Sequence, residues 1–180
     1  MDSHFYTIRA PSITTPNNEF RISRFASGVT HWLFPSSICH EARLVGVELA
    51  LYLKREESYD LPVYDGQQVR KEEYLHLFTR EPDVDISIGI GACCFRFEPW
   101  ANRDPCHCLE WAWIHPYERA KGIMSDAWPE FVKRYGGFVV YPPISRGMKA
   151  LLKKMGHEQG NESLASPCAG PNGLGCPANC

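Results

Sequence analysis

The chain has 180 residues, enough for one domain, or one domain with a tail, and for a buried core. Its hydrophobic content of 44%, charged content of 22% and formal net charge of −2 suit an ordinary globular protein and exclude the basic footprint of a nucleic-acid binder and an acidic tail. The N-terminus MDSHFYTIRAPSITTP lacks a basic start followed by an apolar region, and no stretch approaches the roughly 18 apolar residues of a membrane span, so the expected location is the cytoplasm.

Residues 1–35 mix strand-prone pieces with breakers. Phe5 to Arg9 and Phe20 to Phe25 can each form a strand, separated by the turn-rich segment SITTPNN. From Ser37 the period changes. Ile38, Ala42, Val45, Leu49, Tyr52 and Leu53 recur at helical spacing, with Glu41, Arg43, Glu48, Lys54 and Glu56 on the other side, which predicts an amphipathic helix of about five turns. Ser37 is the expected N-cap, and Gly46 suggests close packing against another backbone. Tyr59 to Lys71 holds Pro62 and an Asp65-Gly66 pair and reads as a loop, either a binding element or a solvated connector.

Glu73 to Thr79 and Ile86 to Phe97 both alternate. Leu75 and Leu77 share one face of the first; Ile86, Ile88, Ile90, Ala92 and Cys94 share one face of the second. With Glu81-Pro82-Asp83 turning between them, they predict an antiparallel hairpin. Gly89 and Gly91 mark a bulge or a close backbone approach. A loop over Trp100 to Pro105 leads to a strand over Cys108 to His115, a helix over Gly122 to Tyr135, a strand over Gly137 to Tyr141 and a helix over Ser145 to Met155. Pro129 falls inside the first of these helices, so either that helix bends after its second turn or its first turn is a separate piece. Periodicity stops after Gly160. The expected organisation is an α/β domain over residues 1–160 and a flexible tail containing Gly, Pro and Cys over 161–180.

Leu109 to Met124, LEWAWIHPYERAKGIM, carries the strongest functional signal: an alternating apolar run, a Pro-Tyr turn, then Arg119-x-x-Gly122 opening a helix. A strand that delivers basic, Gly-containing backbone to a helix N-terminus is how proteins build a site for a phosphate group. Successive N–H groups from Arg119 to Met124 would face the anion, Gly122 lets backbone come close, and Arg119 and Lys121 add positive charge. The plain alternative is an ordinary strand, loop and helix with a surface Arg and Lys.

The run Ile114-His115-Pro116-Tyr117-Glu118-Arg119-Ala120-Lys121-Gly122-Ile123 resembles motif A of the GNAT superfamily of acyl-CoA-dependent N-acetyltransferases, V-x-P-x-x-(R/Q)-x-x-G-x-(G/A) between a strand and a helix. Ile114 stands at the valine, Pro116 at the proline, Arg119 at the arginine and Gly122 at the central glycine; Met124 departs from the last small residue. Ser145, Met148, Leu151 and Gly156 are similarly placed to the Asn, Ala, Leu and Gly of motif B. The resemblance covers roughly residues 18 to 158. It implies a GNAT-like mixed, mostly antiparallel central sheet flanked by helices, with acetyl-CoA or coenzyme A as co-substrate and no metal. It further implies cofactor contacts at Ile114, His115, Arg119, Ala120, Lys121, Gly122, Ile123, Met124 and Ser145, and direct acyl transfer to a primary amine.

Such a transfer needs a neutral amine, a donor to the developing oxyanion and a proton for the leaving thiolate. The family often places a Tyr on the motif B helix for that proton; here the position is Leu152. Tyr141, at the end of the preceding strand, is the nearest phenol in sequence that can substitute, its alternative being a Tyr at the rim of the sheet. A Glu on the central strand is a recurring base in the family, and Glu110 stands there, by period 2 on the face of Ala112 and Ile114. Flanked by Trp111 and Trp113, it can have a pKa raised by desolvation; a salt-bridged or edge-exposed Glu is the alternative. His115 is a weaker candidate base, and a backbone N–H near Ile114 is the oxyanion donor that the resemblance implies.

The loops at 59–71 and 100–105 should border the acceptor, where Tyr64, Asp65, Trp100 and Asp104 suit a cationic amine or a solvated loop equally. The acceptor is expected to be a small molecule or a protein, with neither nucleic acid nor membrane as partner and a homodimer left open. A second reading is a GNAT-like coenzyme A-binding or protein-interaction module that has lost catalysis, motivated by Leu152, Ser145 and Met124. A third is a zinc-stabilised interaction protein using Cys106, His107, Cys108, Cys168, Cys176 and Cys180, whose spacing matches the usual paired zinc ligands poorly. Without a secretory signal, most of the eight cysteines read as reduced thiols.

Overall fold

Apolar residues on both sides of a strand require cover on both faces of its sheet, and the chain supplies it with one helix on one face and two on the other. The computed structural model describes residues 9–35, 39–58, 64, 72–100, 103–142 and 144–157. The expected strand at Phe5 to Arg9 except for Arg9 itself, the Ser37 cap, nearly all of the 59–71 loop and the 161–180 tail with Cys168, Cys176 and Cys180 lie outside the described residues. In chain order the elements are β1 (Ser12–Thr14), β2 (Arg21–Arg24), β3 (Thr30–Pro35), α1 (His40–Glu57), β4 (Glu73–Arg80), β5 (Ile86–Trp100), β6 (Arg103–Ile114), α2 (Ile123–Tyr135), β7 (Val139–Val140) and α3 (Arg146–Met155). No helix among the described residues is long and apolar enough to cross a membrane.

The fold is mixed α/β: a seven-stranded sheet in the order β2-β3-β4-β5-β6-β7, with β1 paired to β5, flanked by three helices. Every strand pair is antiparallel except β6 with β7. The expected mostly antiparallel sheet and the β4–β5 hairpin are therefore present. Helix α1 covers one face, where Ala42, Val45, Leu49 and Leu53 pack on Trp32, Leu75, Leu77, Cys94, Trp111 and Trp113. Helices α2 and α3 cover the other, where Ile123, Ala127, Phe131 and Leu152 pack on Phe78, Ile90, Phe95 and Leu109.

Several expectations are corrected. The segment read as turn-rich contributes β1, whose pairing runs Ser12↔Ile88 to Thr14↔Ile86. β3 lies inside the sheet between β2 and β4, yet its residues THWLFP do not alternate, because both of its faces are buried. The loop expected over Trp100 to Pro105 is mostly strand, with Trp100 paired to Arg103. The N-cap position of α1 is Cys39, without a side-chain cap bond. Gly46 meets side chains instead of another backbone: an added Cβ would lie 2.9 Å from Leu75 Cδ2 and 3.2 Å from Tyr64 Cε1.

Two bulges set the faces around the site. Phe78 pairs with Gly91 and Thr79 with Gly89, leaving Ile90 as the extra residue. Ile90 consequently joins the α2–α3 face while Ala92 and Cys94 join the α1 face, so the single apolar face expected along β5 is broken there. Gly91 also allows the close approach of β6, since a Cβ on it would come within 2.9 Å of the Trp113 carbonyl. On β6, Cys94↔Trp111 and Phe95↔Leu109 leave Glu110 unpaired. Helix α2 runs unbroken through Pro129, with its first turn part of the same element.

Candidate active site

β6 pairs with β7 only at Cys108 and Leu109, so from Glu110 onward its outer edge parts from its parallel neighbour. Below that parting lies a cleft of about 600 Å³. Its walls are the end of α1 at Glu56 and Glu57, the end of β6 at Ala112 to Ile114, the loop through Arg119 and Ala120, the first turn of α2, and α3 from Ser145 to Lys154. Of the residues expected to hold a cofactor, Ile114, Arg119, Ala120, Gly122, Ile123, Met124 and Ser145 line this one cleft; His115 and Lys121 do not.

The backbone between β6 and α2 has the form of an anion cradle. Pro116–Glu118 is a 3-10 turn, after which Ala120 (φ 59°) and Gly122 (φ 86°) are both left-handed. A left-handed alanine is strained by roughly 1–2 kcal/mol, and strain of this kind concentrates at functional sites. The first backbone bond of α2 runs from the Asp126 N–H to the Gly122 carbonyl at 2.8 Å, which leaves the N–H groups of Ile123, Met124 and Ser125 as the helix's open donors. A Cβ at Gly122 would meet only the Asp126 carboxylate at 3.8 Å, so the approach to the cradle is open. Such a cradle, with a cleft beyond it, has the form that binds a phosphate group at a helix N-terminus.

Several charged residues at the cleft are already engaged. Arg119 donates from both Nη atoms to Glu56 at 2.5 Å, donates from Nε to the Ile114 carbonyl at 2.8 Å and lies over the Trp113 ring. Trp113 Nε1 donates to the same Glu56 carboxylate at 2.9 Å. The Arg119 hydrogen bonds, more than the burial that opposes them, hold the Glu56 carboxyl below its ordinary range. Lys121 pairs with Glu118 at 3.2 Å, and Glu118 is gripped by Arg80 through two hydrogen bonds of 3.1 and 2.8 Å. His115 accepts from the Tyr117 N–H at 3.3 Å and so caps the 3-10 turn. Ser145 caps α3 by accepting from the Met148 N–H at 3.2 Å. Lys154 reaches across from α3 to Ser125 Oγ at 3.1 Å.

Glu110 occupies a different place from the one its alternation predicts. As the bulged residue it leaves the face of Ala112 and Ile114, which packs toward α2 and α3, and turns to the α1 face beside Arg96. Arg96 Nη2 lies 2.6 Å from Glu110 Oε1 and the same guanidinium pairs with Glu98. Burial pushes the Glu110 carboxyl up to about 7, the Arg96 charge opposing that shift and Glu73 and Glu98 adding to it. Glu110, Glu73 and Cys94 present ligand atoms within 4.8 Å of one another, with Arg96 already in place as the positive charge.

Tyr141 donates its backbone N–H to the Leu109 carbonyl at 2.8 Å and its ring lies 6.3 Å from that of Trp100. Burial raises its phenol pKa, and the nearby Cys108, Glu98 and Glu110 raise it further against the opposing pull of Arg96. Glu110 and Tyr141 thus share one electrostatic neighbourhood at the parting of β6 and β7, outside the lining of the cleft. Tyr64 packs on Trp111 at 5.7 Å on the same α1 face. Leu152 is buried in the α2–α3 core. Glu56 is the participant that sequence reasoning missed as a site residue; its partner Arg119 lies 63 positions away, and helical spacing placed it merely on a polar side.

No protein-family model matches the chain, and no curated protein matches it. Among solved structures, the ribosomal-protein-alanine N-acetyltransferase from Brucella melitensis biovar Abortus 2308 is similar at a TM-score of 0.49 and 14% identity, over 76% of this chain and 97% of that one.

Proposed function

We propose that this chain is an acyl-CoA-dependent N-acyltransferase that passes an acyl group, acetyl by default, to a primary amine by direct attack. The observation that carries the reading is the convergence of Ile114, Arg119, Ala120, Gly122, Ile123, Met124 and Ser145 on one cleft at the open N-terminus of α2, where β6 parts from β7. The acyl-CoA supplies a thioester carbon as electrophile and a thiol as leaving group. The open N–H groups at the start of α2 hold the pyrophosphate, and the free edge of β6 near Ile114 binds the pantetheine arm.

Glu110, with a carboxyl pushed up to about 7, takes the proton that the amine loses as the new C–N bond forms. The C–S bond breaks, and Tyr141 is the group that returns a proton to sulfur. Its raised pKa keeps it protonated at neutral pH, so the phenol holds a proton for the departing sulfur and recovers one from solvent after transfer. The carboxylates around Arg96, with Trp111 and Tyr64 beside them, favour a cationic amine as acceptor, small molecule or protein, in the cytoplasm.

Incubation of the full chain with acetyl-CoA and a panel of amines tests this reading by release of free thiol and acetylated product. Amine-dependent thiol release supports it, and binding without turnover over the whole panel favours the second reading, a coenzyme A-binding module. Leu152 in the α2–α3 core, at the position where the resemblance expects the proton-donating Tyr, is the observation behind that second reading.

A further inference from the structure

Two guanidinium groups line the cleft, Arg119 and Arg146, and the one on the loop that forms the cradle, Arg119, is already spent on a carboxylate of the chain itself. Glu56 accepts from both Nη atoms of Arg119 at 2.5 Å and from Trp113 Nε1 at 2.9 Å, a planar two-oxygen clasp of the kind a phosphate group makes with arginine. Both side chains line the cleft, and both remain reachable by water, with side-chain exposures of 34% for Glu56 and 41% for Arg119. Glu56 sits in the last turn of α1, at the negative end of its dipole, where a carboxylate is unfavourable without a counter-charge. The contact is therefore strong in geometry and weak in net free energy, which is the combination an exchangeable contact requires.

We infer that the Glu56 carboxylate is an internal stand-in for the anionic ligand, occupying Arg119 until a pyrophosphate group enters the cleft and takes its place. The inference rests on the acyl-CoA reading and adds to it an autoinhibitory contact that lowers affinity for every anion that needs Arg119. On exchange, no covalent bond changes: Arg119 keeps its Nε bond to the Ile114 carbonyl, and Glu56 keeps the Trp113 N–H and turns its other oxygen to water. The exchange releases the end of α1 from the loop that precedes α2 while Trp113 still ties it to β6, so ligand entry loosens one wall of the cleft as it fills another.

Calorimetric titration of the full chain with coenzyme A, and separately with inorganic pyrophosphate, tests the exchange on Glu56→Gln, Arg119→Met and Glu57→Gln. Removing the internal competitor is expected to tighten both probes in Glu56→Gln by about two- to fivefold, the range an exposed ion pair can impose. Arg119→Met is expected to weaken both, by about tenfold or more. Thermal unfolding should fall similarly in Glu56→Gln and Arg119→Met, since both break one pair, so opposite signs in affinity distinguish exchange from a purely structural role. Glu57→Gln removes an equal charge from the same wall without releasing Arg119. If it tightens binding as much as Glu56→Gln does, or if Glu56→Gln binds coenzyme A no better than wild type, the exchange is overturned while the acyl-CoA reading stands. Wild-type protein that binds neither probe overturns both.

Discussion

Glu110 shows how far a residue's chemistry depends on a single register shift. Had β6 alternated without interruption, its carboxylate would stand with Ala112 and Ile114 on the face that packs toward α2 and α3. The bulge turns it instead toward Arg96 and Glu73, where burial holds it protonated to about pH 7. If it is the base, kcat/KM with a given amine should rise with pH through an apparent pKa near 7. Glu110→Gln should remove that limb and lower the rate by about 10²- to 10⁴-fold, as measured by thiol release across pH 5.5 to 9. An unaltered limb in the variant would assign it to another group. The residue type at position 110 and the rise of its carboxyl by burial were legible from sequence, as was the salt-bridged alternative that the Arg96 pair realises; the bulge was not, because nothing in LEWAWI differs from regular alternation. Glu56 was invisible as a site residue for another reason: a contact between elements leaves no local pattern.

At the scale of elements, the hairpin, α2, α3 and the strand between them were legible because period and cap chemistry agree there. Ser145 illustrates the cap: its hydroxyl accepts the Met148 N–H, so Ser145→Ala should cost about 1 kcal/mol by chemical denaturation. No loss of stability would mean that the cap bond is not formed in solution. The paired glycines were read as a bulge or a close approach, both are present, and Gly91 carries the sharper consequence. A Cβ there would collide with Ile114 Cδ1 and meet the Trp113 carbonyl at 2.9 Å, and backbone cannot yield as a flexible side chain can. Gly91→Ala should therefore destabilise by about 1–3 kcal/mol and weaken coenzyme A binding through displacement of Ile114. A Gly89→Ala variant, facing Val45 Cγ1 at 2.8 Å away from the cleft, should lose stability without that binding defect. What failed at this scale was β1 and β3. The first is three residues of Ser, Ile and Thr between prolines, and the second is covered on both faces, so neither has a period to read.

For the molecule as a whole, the α2–α3 layer meets the sheet over a buried polar chain that stability must accommodate. His31 Nε2 lies 2.7 Å from His76 Nδ1, and His76 Nε2 lies 2.7 Å from the Tyr135 hydroxyl. Burial, aided by Arg134, lowers His31 to about 3; burial, then His31 and Arg134, lowers His76 well below its ordinary value. Both are neutral when folded, whereas the unfolded chain binds protons at each below about pH 6.5. Their contribution is thus full above that pH and falls as pH drops through it, by up to about 1.4 kcal/mol per pH unit for each histidine. Glu110 acts in the opposite sense between its unfolded value and about 7, since its folded form holds a proton that the unfolded form releases. The two buried histidines outweigh it, and His107 and His157, also lowered by burial, add in the histidines' sense, so stability should fall between pH 6.5 and 5 with a net slope of about 1 kcal/mol per pH unit or more, read from urea midpoints. A flat profile over that range would contradict the neutral, buried assignment of the pair. The most direct measurement of the central claim is calorimetric titration of the full chain with coenzyme A up to millimolar concentration. The account predicts saturable binding at one site per chain that a Gly122→Val substitution, strained at φ 86° in the cradle, abolishes or weakens by about tenfold or more. Absence of binding by the wild-type protein, or binding that ignores the substitution, would contradict it.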